Sequence, residues 1–139
     1  MNLFIDTSIF VDILRKEAVE SSKLLFDSIL EDNDGFTSSI TVAELSVGAH
    51  LSSRSDSIEK TMELLYLISV INLNYKIAFH GGKIYSELVR RGLEIELNDC
   101  LIAATSLSVG ITEIVTRNID HFERIDGIYA ITPEDLGFG

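Results

Sequence analysis

Asp6, Glu44, Asp99 and the close pair Asn118 and Asp120 are the residues of this chain best placed to do chemistry. Asp6 ends the apolar run Leu3-Phe-Ile5, which is too short for a helix and reads as a fully buried strand. Thr7 or Ser8 is a good N-cap for a helix beginning near Ile9. Asp6 therefore stands where a buried strand gives way to a helix, the edge at which open α/β sheets bind ligands. Projected as a helix, Ile40–Leu51 puts Glu44 among Ile40, Val47 and Leu51, inside the apolar arc. A buried lone carboxylate is expensive and either neutralises or finds a partner; the alternative is an edge position from which it reaches water. Asp99 lies beside Ile102, Ala103 and Ser106 on Leu97–Val109, a helix with almost no polar face, although an acid in a first turn also suits the helix dipole. Thr116-Arg-Asn-Ile-Asp-His-Phe122 follows the apolar run ending at Thr116 as Asp6 follows Leu3-Phe-Ile5. Asn118 and Asp120 can each turn inward from it, unless Asn118 only caps the turn that begins at Ile119.

Carboxylates from two strand ends and two helices can converge on one crevice. Like charges within a few ångströms do not all stay ionised without a cation between them. Oxygen-only ligands suit Mg²⁺ or Mn²⁺, which keep waters and bind phosphate oxygens. Such an ion lowers the pKa of bound water and stabilises charge on a displaced oxygen, which is what phosphodiester hydrolysis needs.

The elements that must position these groups alternate helical periodicity with short apolar runs, the pattern of an α/β fold. Their order begins β-α-α-β-α-α-β-α-α-β and ends with one more strand, and helical connections throughout imply mainly parallel pairing. The expectation is a single domain over residues 1–139, a three-layer α/β/α arrangement around four or five strands. Tyr75–Arg91 is the longest predicted helix, with Ala78, Tyr85, Leu88 and Val89 as core contacts and Gly81-Gly82 as a local weakness that permits close packing. Cys100 is alone, no apolar stretch reaches membrane-span length and the N-terminus lacks a basic start, so a soluble cytoplasmic protein is expected. The net charge of −11, from 22 acids against 11 bases, argues against holding nucleic acid by broad phosphate neutralisation. A nucleic-acid substrate would need local cations or metal ions to screen it; a basic protein partner is the other consistent choice.

Leu3-Phe-Ile-Asp-Thr-Ser-Ile-Phe-Val-Asp12, Thr41-Val-Ala-Glu-Leu-Ser-Val-Gly48, Leu97-Asn-Asp-Cys-Leu-Ile-Ala-Ala104 and Thr116-Arg-Asn-Ile-Asp-His-Phe-Glu-Arg124 resemble, in this order, the PIN domain. Within it they look most like VapC-type toxin ribonucleases of prokaryotic toxin–antitoxin pairs. The resemblance implies a parallel sheet flanked by helices and a Mg²⁺- or Mn²⁺-dependent endoribonuclease leaving a 3′-hydroxyl and a 5′-phosphate. It places metal-binding carboxylates at Asp6, Glu44 and Asp99. The family's fourth position, often acidic, matches Asn118 here, so Asp120 is the alternative for positioning water or a second ion. The resemblance also implies a homodimer and a cognate antitoxin whose tail blocks the site; an acidic pocket awaiting a basic tail fits the charge of −11.

Other chemistries fit less of the chain. An adhesion-type metal site would want Ser where Phe10 stands, a phosphoryl-transfer Asp-x-Asp pattern is broken by Ser8, and a receiver domain would want an adjacent acid pair and a late Lys. None of these accounts for Glu44 or Asp99. A weakened nuclease that only binds metal and its partner is the remaining alternative, given Asn118. His50 and His80 read as helix-surface groups, Cys100 as core, and Asp12 as a helix-surface acid. Arg117 and Arg124 are candidates for phosphate contact, with surface ion pairs as the competing account.

Overall fold

The computed structural model describes residues 1–139. In chain order the elements are β1 (Asn2–Ile5), α1 (Thr7–Leu14), α2 (Glu20–Ile29), β2 (Asp34–Ser38), α3 (Ser39–Leu51), α4 (Ser57–Tyr66), β3 (Ser69–Ile71), α5 (Tyr75–Arg90), α6 (Leu97–Ser108), β4 (Glu113–Val115), α7 (Ile119–Phe122) and β5 (Tyr129–Ile131). The five strands form one parallel sheet in the order β3-β2-β1-β4-β5. From β1 the chain steps outward through β2 and β3, then returns to the other side of β1 for β4 and β5. The order therefore reverses between β1 and β4, and a parallel sheet opens a crevice beyond the carboxyl ends of its strands at such a point.

The strands alternate their side chains between two apolar layers, as a period of two demands. Phe4 and Ile114 point into a cluster built with Ile77, Ile84 and Leu88 of α5 and Ile102 and Ala103 of α6. Leu3, Ile5 and Val115 point into the opposite cluster, with Ile9 and Phe10 of α1, Leu25 and Phe26 of α2 and Leu45 of α3. This is the α/β/α arrangement expected from the order of elements.

Two helix faces differ from expectation. On α5 the buried stripe is Ile77, Gly81, Ile84 and Leu88, while Val89 is exposed and Ala78 and Tyr85 are only half-buried. Gly81 belongs to the contact surface, so reading it as an interruption rotates the apparent face. A Cβ at Gly81 would come within 2.5 Å of Leu101 Cδ2 and 3.3 Å of Leu101 Cα, whereas one at Gly82 would meet nothing within 4 Å. Gly82→Ala is therefore expected to raise stability by about 0.5–1 kcal/mol through helix propensity alone. Gly81→Ala should forfeit that gain against α6, a difference that paired thermal melts will show.

On α3 the buried residues are Thr41 and Leu45, and of the arc expected to be core only Ile40 packs inward: Val47 is 60% and Leu51 82% exposed. The helix is apolar nearly all round, so hydrophobicity by itself did not select its inner face. Glu44 consequently sits half-buried at the rim of the crevice rather than within the core.

Candidate active site

Asp6 is 2% exposed and is itself the N-cap of α1, which begins two residues earlier than Ile9; Thr7 and Ser8 lie in its first turn. Its Oδ2 accepts from the Ser8 hydroxyl at 2.8 Å, the Thr116 hydroxyl at 2.8 Å and, at 3.4 Å, the Ser8 backbone N–H. Each hydroxyl has a single proton, already donated to Asp6. Ser8 Oγ is then free to accept from the Arg117 N–H (2.9 Å), and Thr116 Oγ1 from the Asn118 N–H (2.9 Å). The ends of β1 and β4 are thereby stitched together through one carboxylate oxygen. A backbone bond from Asp6 N–H to the Val115 carbonyl adds to the stitch.

Glu44 is held in the same manner. Thr7 Oγ1 donates to Glu44 Oε1 at 2.8 Å and lies 2.8 Å from Thr41 Oγ1. With its proton committed to the carboxylate, Thr7 accepts from Thr41, which is fully buried. A three-residue relay thus fixes Glu44 on α3 against the start of α1. Asp99, in the first turn of α6, has Oδ2 3.3 Å from His121 Nδ1 on α7.

Asp6, Glu44, Asp99 and Asn118 line one cleft of about 420 Å³, together with Thr7, Ser8, Val11, Asp12, Arg15, Glu96, Arg117 and His121. Asp120 does not line it; with Asn118 and His121 it borders a neighbouring depression. Of the two candidates for the fourth position, the fold brings only Asn118 to the carboxylates. The Asn118 side chain makes no capping bond to α7.

Five acids against two arginines surround this cleft. Burial raises the Asp99 carboxyl from 3.8 to about 6, reinforced by the charges of Asp6 and Glu44 and opposed by His121. No three His, Cys, Asp or Glu side chains stand close enough together to grip one ion as they are placed; the three carboxylates share a cleft instead. Each nevertheless has one oxygen engaged by a protein donor and one, Asp6 Oδ1, Glu44 Oε2 and Asp99 Oδ1, that receives none. No buried side-chain oxygen is left without a partner, so these three oxygens are open to solvent. Hard oxygen donors with surplus negative charge fit Mg²⁺ or Mn²⁺. Cys100, next to Asp99, is fully buried, and its thiol is pushed up to about 11 by burial and by Asp99, which removes it as a nucleophile.

The raised Asp99 value carries a stability consequence. The folded chain binds a proton at Asp99 more readily than the unfolded chain, so stability falls as pH rises from about 4 to 6. In EDTA, Asp99→Asn is expected to melt about 3 °C above the parent at pH 7.5, taking roughly 1 kcal/mol as the part that survives solvent screening. The gap should close below pH 4; equal melting temperatures at pH 7.5 would remove the electrostatic account.

The sequence pattern of the PIN domain matches residues 3–128. The chain belongs to the PIN-domain family. This PIN domain is 30% identical over 129 residues to Ribonuclease VapC2 of Rickettsia felis, a match covering 92% of the chain and 95% of that protein. It is 32% identical over 128 residues to Ribonuclease VapC2 of Haemophilus influenzae, covering 90% and 92%. A shorter match, 36% over 92 residues, covers 66% of the chain and 69% of the tRNA(fMet)-specific endonuclease VapC of Salmonella typhimurium. Among solved structures, VapBC2 of Rickettsia felis bound to a promoter DNA fragment superposes with a TM-score of 0.83 at 28% identity, covering 95% of this chain and 98% of that one. The DNA-bound VapBC of Salmonella typhimurium gives 0.81 at 28% identity, covering 96% and 99%. The family and fold expected from the motifs are those found. No helix of this PIN domain is long and apolar enough to cross a membrane.

Some residues of the cleft were misread or passed over in the sequence. Asp12 is no surface acid: it is 5% exposed, accepts from Arg117 Nε at 2.7 Å and Ser22 Oγ at 2.8 Å, and pairs with Arg15 at 3.7 Å. Its spacing six residues after Asp6 resembles an exposed helix position, and its partner lies more than a hundred residues away, so no local pattern announces it. His121 has no histidine at helical spacing to mark it in the sequence, yet α7 brings its Nδ1 to 3.3 Å from Asp99. The Thr7, Ser8 and Thr116 hydroxyls, for which the sequence leaves capping and bonding to a ligand carboxylate equally open, bond the carboxylates. His50 and His80 are surface groups on α3 and α5, as read.

Proposed function

We propose that this PIN domain is a Mg²⁺- or Mn²⁺-dependent endoribonuclease and the toxin of a VapBC-type pair. It acts in the cytoplasm as a homodimer and is blocked there by a cognate antitoxin. The observation that carries the chemistry is the set of three carboxylates lining one cleft, on β1's end, α3 and α6, each with one oxygen tethered and one open to solvent. The names of the relatives, ribonuclease and endonuclease, support RNA as the substrate, and the VapBC assemblies among the structural neighbours support an antitoxin partner.

Asp6, Glu44 and Asp99 would hold the ion through their open oxygens. A bound Mg²⁺ or Mn²⁺ supplies an activated water and stabilises charge at the scissile phosphate. The chain's own part is preorganisation. Ser8 and Thr116 fix the Asp6 rotamer, the Thr41–Thr7 relay fixes Glu44, and His121 restrains Asp99, so little reorganisation is left for the reaction. Asn118, an exposed residue of the cleft lining, offers an amide to water or phosphate. Five acids against two arginines would repel RNA unless a cation offset the surplus, which ties substrate binding to the ion.

The test is incubation of a mixed RNA pool with Mg²⁺, with Mn²⁺ and with EDTA. Cleavage in the first two and none in the third is expected, with 3′-hydroxyl and 5′-phosphate ends. Cleavage that continues undiminished in EDTA removes the mechanism. An amide rather than an acid at Asn118 favours one rival, a metal- and partner-binding module that is not an enzyme. That rival predicts calorimetric Mn²⁺ binding with no RNA cut.

A further inference from the structure

Arg117 lines the cleft beside the carboxylates, the natural place for a phosphate-binding cation, but its guanidinium is already spent. Nε donates to Asp12 Oδ2 at 2.7 Å, Nη1 to Glu134 Oε1 and Oε2 at 2.8 and 2.9 Å, and Nη2 to Ser21 and Ser22 at 2.9 and 3.1 Å. A guanidinium has five N–H donors, and five acceptor atoms meet it here. Burial works to lower its pKa, but the bonds to Asp12 and Glu134 outweigh that and raise it, so the charge is permanent. Arg15, the other arginine of the cleft, makes only a 3.7 Å pair with Asp12 and has a side chain 55% exposed.

The acceptors around Arg117 come from α1, the start of α2 and the turn after Pro133. The Arg117 backbone, meanwhile, donates to Ser8 Oγ, and the next N–H donates to Thr116 Oγ1. We propose that Arg117 is a positioning residue and not a phosphate ligand: its saturated side chain clamps the loop after β4 to α1, α2 and Glu134 of the C-terminal turn, and so holds in place the two hydroxyls that orient Asp6. The sequence around Pro133 thereby acquires a role in the site although it lies outside the cleft. A lysine would keep the charge but could not satisfy acceptors on three sides, since its three donors radiate from one point.

The activity readout of this inference rests on the nuclease reading; its exchange readout does not. The experiment compares Arg117→Lys, Glu134→Gln and, as a contrast, Arg15→Gln. For Arg117→Lys, kcat on RNA should fall by about 10- to 100-fold with KM changed less than about twofold and its salt dependence unaltered. Glu134→Gln, at a half-exposed rim position where folding is not at risk, should shift kcat in the same direction by a smaller factor. Arg15→Gln should instead raise KM and flatten the salt dependence by roughly one unit of slope. Amide hydrogen exchange at Arg117 and Asn118 should accelerate by about tenfold in both clamp variants while Phe4 and Ile5 in β1 keep their protection. An Arg117→Lys variant that raises KM several-fold with kcat unchanged would make Arg117 a phosphate ligand after all. Parent-like kcat and exchange in Glu134→Gln would overturn the clamp. If the parent protein cuts no RNA, the nuclease reading fails and the exchange data alone decide the clamp.

Discussion

Asp6→Asn and Asp99→Asn are each expected to reduce RNA cleavage by about a thousandfold or more while leaving the chain folded. The fold survives because Asn at position 6 still offers one oxygen to the Ser8 and Thr116 hydroxyls and is itself a favoured helix cap. What disappears is the negative charge on the open oxygen, the part of the side chain that no protein donor uses. Asp99→Asn removes a carboxylate already burdened by burial and by its neighbours, so its loss relieves the folded state while disabling the site. Circular dichroism, melting temperature and single-turnover cleavage on the same preparations measure this. Retained cleavage in a folded Asp99→Asn protein would detach α6 from the chemistry.

Phe10→Ala is expected to cost about 3–5 kcal/mol, a large share of the 5–15 kcal/mol typical of a domain. Phe10 is fully buried and meets Phe26 edge-on, with ring centroids 5.2 Å apart at 73°. It fastens α1, the helix whose first turn carries Thr7 and Ser8, to α2 within the apolar layer on this face of the sheet. Neighbouring Val11 is 44% exposed on the cleft wall, and its replacement by Ala should change stability by about 0.5 kcal/mol or less. Urea denaturation of the two variants separates them. A Phe10→Ala midpoint close to that of Val11→Ala would mean the helix is held by something other than this packing.

Much of the architecture is readable from local pattern. Leu3-Phe-Ile5 and Ile114-Val115 are too apolar and too short to be anything but buried strands, and the helical spacers between strands impose parallel pairing. Element ends fall within a few residues of expectation because caps and glycines mark them. The site is legible where an acid interrupts an apolar element, as at Asp6 and Asp99. Glu44 was singled out from a different premise: the arc containing Val47 and Leu51 was expected to be core and is solvent-exposed. A helix apolar on every side gives no phase, and only packing against α1 and α4 decides which side turns inward.

Pairs set by distant contacts were not legible at all. Asp12 and Arg117 lie 105 residues apart, and neither carries a local mark of its partner. The same holds for Glu134, which looks like any exposed acid after a proline. Asp120 and Asn118 differ by half a helical turn, and only the observed path of the loop after β4 places Asn118 at the cleft and Asp120 beside it.

A crystal grown with Mn²⁺ and measured at the manganese absorption edge tests the central claim most directly. The account predicts an anomalous peak in the cleft with carboxylate oxygens of Asp6, Glu44 and Asp99 about 2.1 Å away or joined to it through one water. A manganese peak bound elsewhere, with the three carboxylates empty in a protein that still cuts RNA, would contradict it.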